Sequence, residues 1–313
     1  MQKKYIELRI NRDFGDIITT YFDFFKQNIK KFTNVFISYN GVFLVGLLIA
    51  SYLLVSGFIG FIAHENNPGS FGAAAPLDTK YTIYMIAGGI VFFVIFLMVG
   101  VLNYSLASSY MIRYEETQGF DFEKKSVWEH TKSRLGSTIV FLLLLILVFF
   151  GFMIVAIILA FIPLLGLFAQ YIIQYFMMSW LGVSYFTMMR ENKGVTDSLG
   201  QGWSLVTGNF WKAVGVNFVM GLLLSILLLL ALTIPGVLIG IYTFHVVENN
   251  VDYASSIVAT VIYTLGTCLF LVISVYGQCL TQFVNGILYY SLHEKTYNLN
   301  TRSKIEQIGG TSE

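Results

Sequence analysis

The sequence is short of charged residues. Asp, Glu, Lys and Arg make up 12% of its 313 residues, and hydrophobic residues make up 56%. A soluble domain carries about 25% charged residues. The composition therefore excludes an ordinary soluble protein and predicts one embedded in a membrane.

Charge is absent altogether from five stretches of the chain. A membrane span needs about 20 apolar residues to cross a hydrocarbon core of about 30 Å. The third charge-free stretch has 55 residues and holds two spans, joined at Ile162-Pro163-Leu164-Leu165-Gly166, and each of the others holds one. The stretches are 32–64, 81–112, 135–189, 213–247 and 253–293. We therefore predict an all-α, polytopic bundle of six transmembrane helices.

The motifs of common catalytic sites are also missing. The sequence has no glycine-rich phosphate loop, no serine nucleophile elbow and no HExxH zinc motif. Pumps, proton-coupled transporters and intramembrane enzymes usually keep ionisable residues at membrane depth, and the five stretches contain no Asp, Glu, Lys or Arg. We expect a protein that is not an enzyme, and we expect no catalytic residues and no cofactors.

Metal-ligating residues are few and scattered. The two cysteines, Cys268 and Cys279, lie eleven residues apart in one stretch, about 16 Å along a helix, which is too far for a disulfide or a shared metal. The four histidines are predicted to divide between the two membrane faces, with His64 and His245 outside and His130 and His293 inside. We therefore predict no metal site.

The basic residues indicate the orientation. Of the 19 Lys and Arg residues, 18 lie in the N-terminal arm, the segments 113–134 and 190–212, and the C-terminal tail, whereas the connections on the other side hold only Lys80. By the positive-inside rule, both ends are cytoplasmic. We divide the chain into an amphipathic arm (1–36), a six-span domain (37–292) and a tail (293–313). With no cleavable signal peptide visible, the first span is expected to act as a signal anchor.

Amphipathic segments precede three pairs of spans. From Phe14 to Phe36, aromatic and aliphatic residues recur at helical spacing opposite a lysine-rich face, which is typical of a helix lying in the headgroup layer before span one. Segments 115–134 and 190–211 are similar. When the sequence is aligned with itself at an offset of 72 residues, Ile162-Pro163 matches Ile234-Pro235. At an offset of 181 residues, Asn28 matches Asn209. These matches favour a threefold repeat of one amphipathic helix and one helical hairpin.

Neutral polar residues within the spans are candidate site residues. They share a position at depth, where they could line a polar cavity or headgroup site, or could simply form hydrogen bonds between helices. They are Asn103, Gln170, Gln174, Asn217, Gln278, Gln282 and Asn285. Small residues at Gly57, Gly60, Gly236 and Gly240 favour close helix packing, although Gly236 and Gly240 follow Pro235 and could instead form an irregular turn.

Basic residues near the predicted cytoplasmic surface are candidate contacts for lipid headgroups. Each is worth about 1 kcal/mol near an anionic surface, and the same residues are also explained as orientation-setting charges. They are Lys26, Lys30, Lys31, Lys124, Lys125, Arg134 and Lys212. Because these charges serve the membrane surface, we expect no nucleic-acid partner.

The sequence resembles a group of bacterial inner-membrane proteins with six spans. The resemblance is carried by Phe14-Gly-Asp-Ile-Ile, by the segment from Arg190 to Lys212 that includes Gly202-Trp203-Ser204 and Asn209-Phe210-Trp211, and by Ile287-Leu-Tyr-Tyr-Ser-Leu-His-Glu294. The group includes the membrane domain fused to some glycerophosphodiester phosphodiesterases. Those members carry their catalytic carboxylates and histidines in a separate soluble domain that this chain lacks, so the resemblance does not imply their activity. It implies a multi-pass protein of the bacterial inner membrane.

Two functions remain open on these grounds. The first is a non-enzymatic scaffold or accessory subunit, or a protein that organises lipid, with membrane lipids and another membrane protein as partners. The alternative is a transporter or permease for a small or amphipathic molecule.

Overall fold

The computed structural model describes residues 5–65, 79–119, 122–162, 165–249 and 256–309. Within these ranges the chain forms α-helices, which confirms the predicted all-α class. The helices are α1 (Phe14–Glu65), α2 (Thr79–Glu116), α3 (Lys124–Ser133), α4 (Leu135–Ala160), α5 (Leu165–Glu191), α6 (Val195–Thr207), α7 (Phe210–Glu248), α8 (Ile257–Tyr297) and α9 (Leu299–Gly309).

Five of the described helices are long and apolar enough to cross a membrane, namely α1, α2, α4, α7 and α8. They match five of the six predicted spans. The remaining predicted span corresponds to α5, which is not among the five. Its polar residues Gln170, Gln174 and Ser179 lower its mean hydropathy.

The chain divides into two compact units. Unit 1 contains Met1–Phe36, Val101–Leu224 and Gln278–Glu313, and unit 2 contains Ile37–Gly100 and Ser225–Gly277. Helices α3, α4, α5, α6 and α9 belong entirely to unit 1, whereas α1, α2, α7 and α8 each contribute residues to both units.

Glycines bring α1 close to α2 in unit 2. A Cβ atom on Gly57 would lie 2.5 Å from Cγ of Met85, and a Cβ on Gly60 would lie 2.1 Å from the ring of Tyr81. Both glycines therefore let the helices approach more closely than any other residue would allow. The predicted packing role of Gly57 and Gly60 is confirmed.

The expectations for Gly236 and Gly240 are not met. Helix α7 continues through Pro235, so the irregular turn considered for this segment is wrong. A Cβ on either glycine would meet nothing within 4 Å, so neither glycine serves close packing within the described part of the chain. Proline is tolerated inside membrane helices because neighbouring groups satisfy the backbone that it frees.

Aromatic side chains form the core of unit 1. The Phe283 ring lies 5.3 Å from that of Phe24 and 4.7 Å from that of Phe32, and the Phe32 ring lies 5.3 Å from that of Tyr110. These four side chains are fully buried. Because edge-to-face aromatic pairs add about 0.5–1.5 kcal/mol each to the burial of area, the cluster fastens α1 to α2 and α8.

This core corrects the interpretation of the N-terminal arm. Residues 14–65 form one helix, so the expected turn between the arm and span one is absent. Much of the apolar face expected to lie in the headgroup layer is buried in protein instead, including Ile17, Tyr21 and Phe36. The aromatic residues of α1 pack against rings on α2 and α8. The sequence of the N-terminal arm alone does not indicate these distant partners.

Helices α4 and α5 form the tight pair expected from the short connection between them. Residues 163 and 164 of that connection lie outside the described residues. The Gly166 N–H donates to the carbonyl oxygen of Ile162 at 2.9 Å. A Cβ on Gly166 would lie 1.9 Å from the carbonyl oxygen of Leu159, so only glycine fits this position without a shift of the backbone.

The threefold repeat stays a prediction. The order of amphipathic helix, span and span recurs at α3–α4–α5 and at α6–α7–α8. However, α4 ends at Ala160, just before Pro163, whereas α7 passes through the equivalent Pro235. The two segments therefore differ at the position where the sequence match is clearest.

We predict that Gly166→Ala destabilises the protein by about 1–3 kcal/mol, the usual cost of forcing extra atoms into a packed site. Gly151→Ala on α4 is the matched control, because a Cβ there meets nothing within 4 Å. The control is expected to be neutral or stabilising, since alanine favours helix over glycine by about 1 kcal/mol. Thermal unfolding in detergent measures both variants, and equal melting temperatures would contradict the packing described here.

Candidate functional site

Three amide side chains share one face of α8. Gln278, Gln282 and Asn285 follow each other at spacings of four and three residues, which places them on one side of a helix. Gln282 is 0% exposed and Asn285 is 2% exposed. The Nε2 of Gln282 donates to Oγ of Ser108 on α2 at 2.8 Å. We call these three residues the amide face of α8. Gln282 and Asn285 are buried within unit 1, and their predicted role as site residues stays a prediction.

Two predicted asparagines are also buried, in different places. Asn103 on α2 is 0% exposed, and its backbone carbonyl oxygen accepts a weak hydrogen bond of 3.8 Å from the thiol of Cys279. Asn103 thus lies beside the amide face of α8. Asn217 on α7 instead donates to Oγ of Ser179 at 2.8 Å, which joins α7 to α5.

The two glutamines of α5 differ from expectation. Gln170 donates from Nε2 to the carbonyl oxygen of Ala156 at 2.9 Å, which links α5 to α4. Gln174 is exposed, so its predicted interior position is wrong. Val183, which is fully buried, lies nine residues further on. Tyr185, which lies about three turns from Gln174 on the same face, is also buried, so Gln174 is exposed because it lies in the less buried N-terminal half of α5.

Hydroxyl groups that the sequence analysis did not single out form a buried network. Tyr185 on α5 lies 2.6 Å from Oγ of Ser105 on α2 and 3.0 Å from Oγ1 of Thr138 on α4, measured from its hydroxyl oxygen. Thr131 on α3 donates to Oγ of Ser109 at 3.0 Å. Scattered Ser and Thr residues give no sequence signal, because the bonds join positions far apart in the chain.

His130 belongs to the group of side chains around Ser109. Its Nδ1 lies 2.9 Å from Oγ of Ser109. Burial and, to a smaller extent, the nearby Arg113 guanidinium lower the pKa of His130 to about 4, although Glu116 opposes the change. The imidazole is therefore neutral at physiological pH.

Charged residues from three distant segments meet in unit 1. Glu115 lies 3.2 Å from Arg9 and 2.9 Å from Arg190, and Glu116 lies 3.3 Å from Arg190 and 2.9 Å from Arg113. The Arg9 guanidinium also lies 5.8 Å from the ring centroid of Tyr290. We call these five residues, namely Arg9, Arg113, Glu115, Glu116 and Arg190, the charge cluster. It brings the N-terminal segment to the ends of α2 and α5.

A second ionic site surrounds Glu191. Its carboxylate accepts hydrogen bonds from the hydroxyl of Tyr289 at 2.7 Å and from Nε2 of Gln201 at 2.9 Å, and it pairs with His293 at 3.2 Å and with Lys193 at 2.7 Å. Burial alone would raise the pKa of Glu191, but these partners lower it to about 2. The site holds α5, α6 and α8 together and leaves the carboxylate too weak a base for proton transfer at neutral pH.

The N-terminal segment is held against unit 1 by buried contacts. Arg12 is 8% exposed, and its guanidinium donates to the carbonyl oxygens of Glu7, Leu8 and Ile10. The backbone N–H of Arg12 donates to Oγ of Ser291 at 3.0 Å. Burial lowers the pKa of Arg12, yet the three carbonyl oxygens stabilise its charge. The N-terminal segment therefore packs on α8.

The predicted lipid contacts divide into exposed and internal residues. Lys26, Lys30, Lys124 and Lys125 are exposed, and Lys31 and Arg134 are half-buried. The ammonium of Lys31 lies 3.8 Å from the ring centroid of Phe122, and Lys124 donates to Oδ1 of Asn34 at 3.1 Å. These contacts bring the start of α3 close to α1, and the contacts of the exposed lysines with headgroups stay predictions.

Lys212 is the exception. Its Nζ donates to the carbonyl oxygen of Arg12 and, at 3.3 Å, to Oγ of Ser291. Its predicted contact with lipid headgroups is wrong, because the ammonium is directed into the protein to fasten the N-terminal segment. That segment lies 200 residues away in the chain, so the local sequence around Lys212 carries no sign of it.

Among the described residues, no group of three or more His, Cys, Asp or Glu side chains is placed to hold a metal ion. His245 lies against Asn249 on α7, with the two side-chain nitrogens 3.0 Å apart. The side chain of His64 lies outside the described part of the chain.

No protein-family model, curated protein or solved structure matches this chain. The resemblance to the membrane domain of glycerophosphodiester phosphodiesterases therefore stays a prediction, and the function must be argued from the residues themselves.

We predict that the protein loses stability as the pH falls from about 6.5 to about 4, and that His130→Gln reduces this loss. An unfolded histidine binds its proton near pH 6.5, whereas folded His130 binds it only near pH 4. The contribution of the neutral His130 imidazole to the stability of the folded state is therefore fully present above pH 6.5 and is lost as the pH falls through this window. Melting temperatures across the window test it. His245→Gln, which alters an exposed histidine, is expected to keep the wild-type profile, and the same profile for His130→Gln would contradict the prediction.

Proposed function

We propose that this chain is a non-enzymatic, six-span protein of the bacterial inner membrane that acts as a scaffold or accessory subunit for a membrane partner, or that organises lipid. The observation that carries the proposal is the surface of α4. Only Thr138 and Phe141 of its 26 residues are buried. One side of α4, which includes Leu145, Phe152 and Ala156, is half-buried. The rest of its surface is exposed to its surroundings.

The exposed side chains of α4 are large and apolar. Phe149, Phe150 and Ile154 are each about 60% exposed, and the helix contains no charged residue. Such a surface is stable only against lipid or another apolar protein surface. Helix α7 has similar residues at Leu229 and Leu230, which are 67% and 69% exposed.

The geometry of unit 1 supports a sixth span at α5. Helices α4 and α5 have 26 and 27 residues, so both are about 40 Å long. They contact each other near both ends, through Thr138 with Tyr185 and through Ala156 with Gln170. The two helices are therefore antiparallel and matched in length, and a chain that crosses the membrane through α4 returns through α5.

The charge cluster supports the proposed orientation. Arg9 precedes the first span, Glu115 ends α2 and Arg190 lies at the end of α5, yet these side chains form ion pairs. The basic segments therefore meet on one side of the membrane, as an even number of intervening spans requires. The excess of basic residues favours the cytoplasm as that side, with both termini there.

A permease for a small molecule is the second candidate. The observation that favours it is the amide face of α8, which places neutral polar groups inside unit 1. Membrane cavities that pass polar solutes are lined by such hydrogen-bonding groups.

Site-specific photo-crosslinking in living cells tests the leading proposal. We expect benzoylphenylalanine at Phe150 or Ile154, which are 62% and 61% exposed, to capture one discrete protein or one enriched lipid class. The same probe at Phe141, which is 3% exposed, is the matched control and should capture neither. Capture of bulk lipid alone, in proportion to its abundance and equally at all positions, would contradict a scaffold or lipid-organising role.

A further inference from the structure

The amide face of α8 contains buried oxygen atoms that accept no hydrogen bond from the described residues. These are Oε1 of Gln278, Oε1 of Gln282 and Oδ1 of Asn285. A buried acceptor that is left unsatisfied destabilises the fold, because it has lost its hydrogen bonds to water and gained none in exchange. Three of them on one helix face within unit 1 indicate a site that is completed by something other than protein.

A hydrogen bond holds the nitrogen end of one of these amides, and a glycine makes room for another. Gln282 donates from Nε2 to Ser108 at 2.8 Å. A Cβ on Gly182 of α5 would lie 2.0 Å from Nδ2 of Asn285, so the absence of a side chain at Gly182 makes room for this end of the amide. With its nitrogen bonded to Ser108 on α2, Gln282 keeps its oxygen available to an occupant, and the oxygen of the neighbouring Asn285 is also unpaired among the described residues.

The surroundings of the amide face are neutral. Ser108, Gly182 and the amide face itself lie in the three charge-free stretches 81–112, 135–189 and 253–293. The occupant must therefore be bound by neutral oxygen atoms. Such a ligand set suits a monovalent alkali cation, because carbonyl oxygens can replace its hydration shell. Calcium and magnesium sites usually include carboxylates, which are absent here.

We propose that the amide face of α8 binds a sodium or potassium ion, with the side-chain oxygens of Gln282 and Asn285, which are both buried and lie about one turn apart, as ligands. The ion satisfies acceptors that the described protein leaves unpaired, and it stabilises the packing of α8 against α2 and α5. This site is independent of the exposed surface of α4 that carries the proposed function.

The test is thermal unfolding of the purified full chain in NaCl, KCl or choline chloride at equal ionic strength. A ligand that binds only the folded state raises its stability as concentration exceeds the dissociation constant. We expect the melting temperature to be higher by about 2 °C or more in one alkali salt than in choline. Saturable binding of radioactive sodium, or of rubidium as a potassium probe, provides a second readout that needs no variant.

Variants locate the ion. Gln282→Met and Asn285→Leu each remove one oxygen and are expected to abolish the salt-specific shift. Gln174→Met is the matched control, because Gln174 is an exposed amide on α5, and it should keep the shift. Equal melting temperatures in all three salts together with no saturable binding would overturn the proposal and leave ordered water as the occupant. Retention of the shift in both amide-face variants would also overturn it.

Discussion

The exclusion of charge from the apolar interior of a membrane is the constraint on which this structure depends. A charged side chain at the centre of a bilayer costs at least about 2.5–3.5 kcal/mol, so every Asp, Glu, Lys and Arg here lies outside the five charge-free stretches. The charges that remain are concentrated at helix ends. Because α2 and α5 end with charged residues and the N-terminal segment begins with them, these parts can pair with one another. The ion pairs of Glu115 with Arg9 and Arg190 are the result.

Neutral polar groups follow a different rule, since they are tolerated at depth if they find partners. Some bond to a backbone carbonyl of their own helix, as Ser51 does to Leu47. Others bond across helices, as Tyr185 does with Ser105 and Thr138 and as Asn217 does with Ser179. The amide face of α8 departs from this pattern, because its amide oxygens lack partners among the described residues. In natural proteins, departures from local rules tend to occur where a site is built. For this reason the amide face, rather than the better satisfied polar groups, is the place to look for a ligand.

The sequence was sufficient to predict the helices but not their contacts. Gaps in charge located the apolar helices, and the amphipathic character of segments 115–134 and 190–211 indicated the short helices that the structure has as α3 and α6. The buried position of Gln282 also followed from its place in a charge-free stretch. The failures share one cause, which is dependence on a distant partner. Phe32 was expected at the membrane surface, but Phe283 covers it, and Lys212 was expected to contact lipid, but it binds the backbone at Arg12.

The six-span arrangement requires that α5 cross the membrane and return the chain to the side on which it entered α4. Cysteine labelling with a membrane-impermeant maleimide tests it most directly, in a background that carries Cys268→Ala and Cys279→Ala. Phe161 follows α4 and is 82% exposed, and Thr196 follows α5 and is exposed. We predict that Phe161→Cys reacts from outside intact cells and that Thr196→Cys reacts only after the membrane is opened. Reaction of both variants from the same side would show that α5 does not span the membrane, and the six-span account would be wrong.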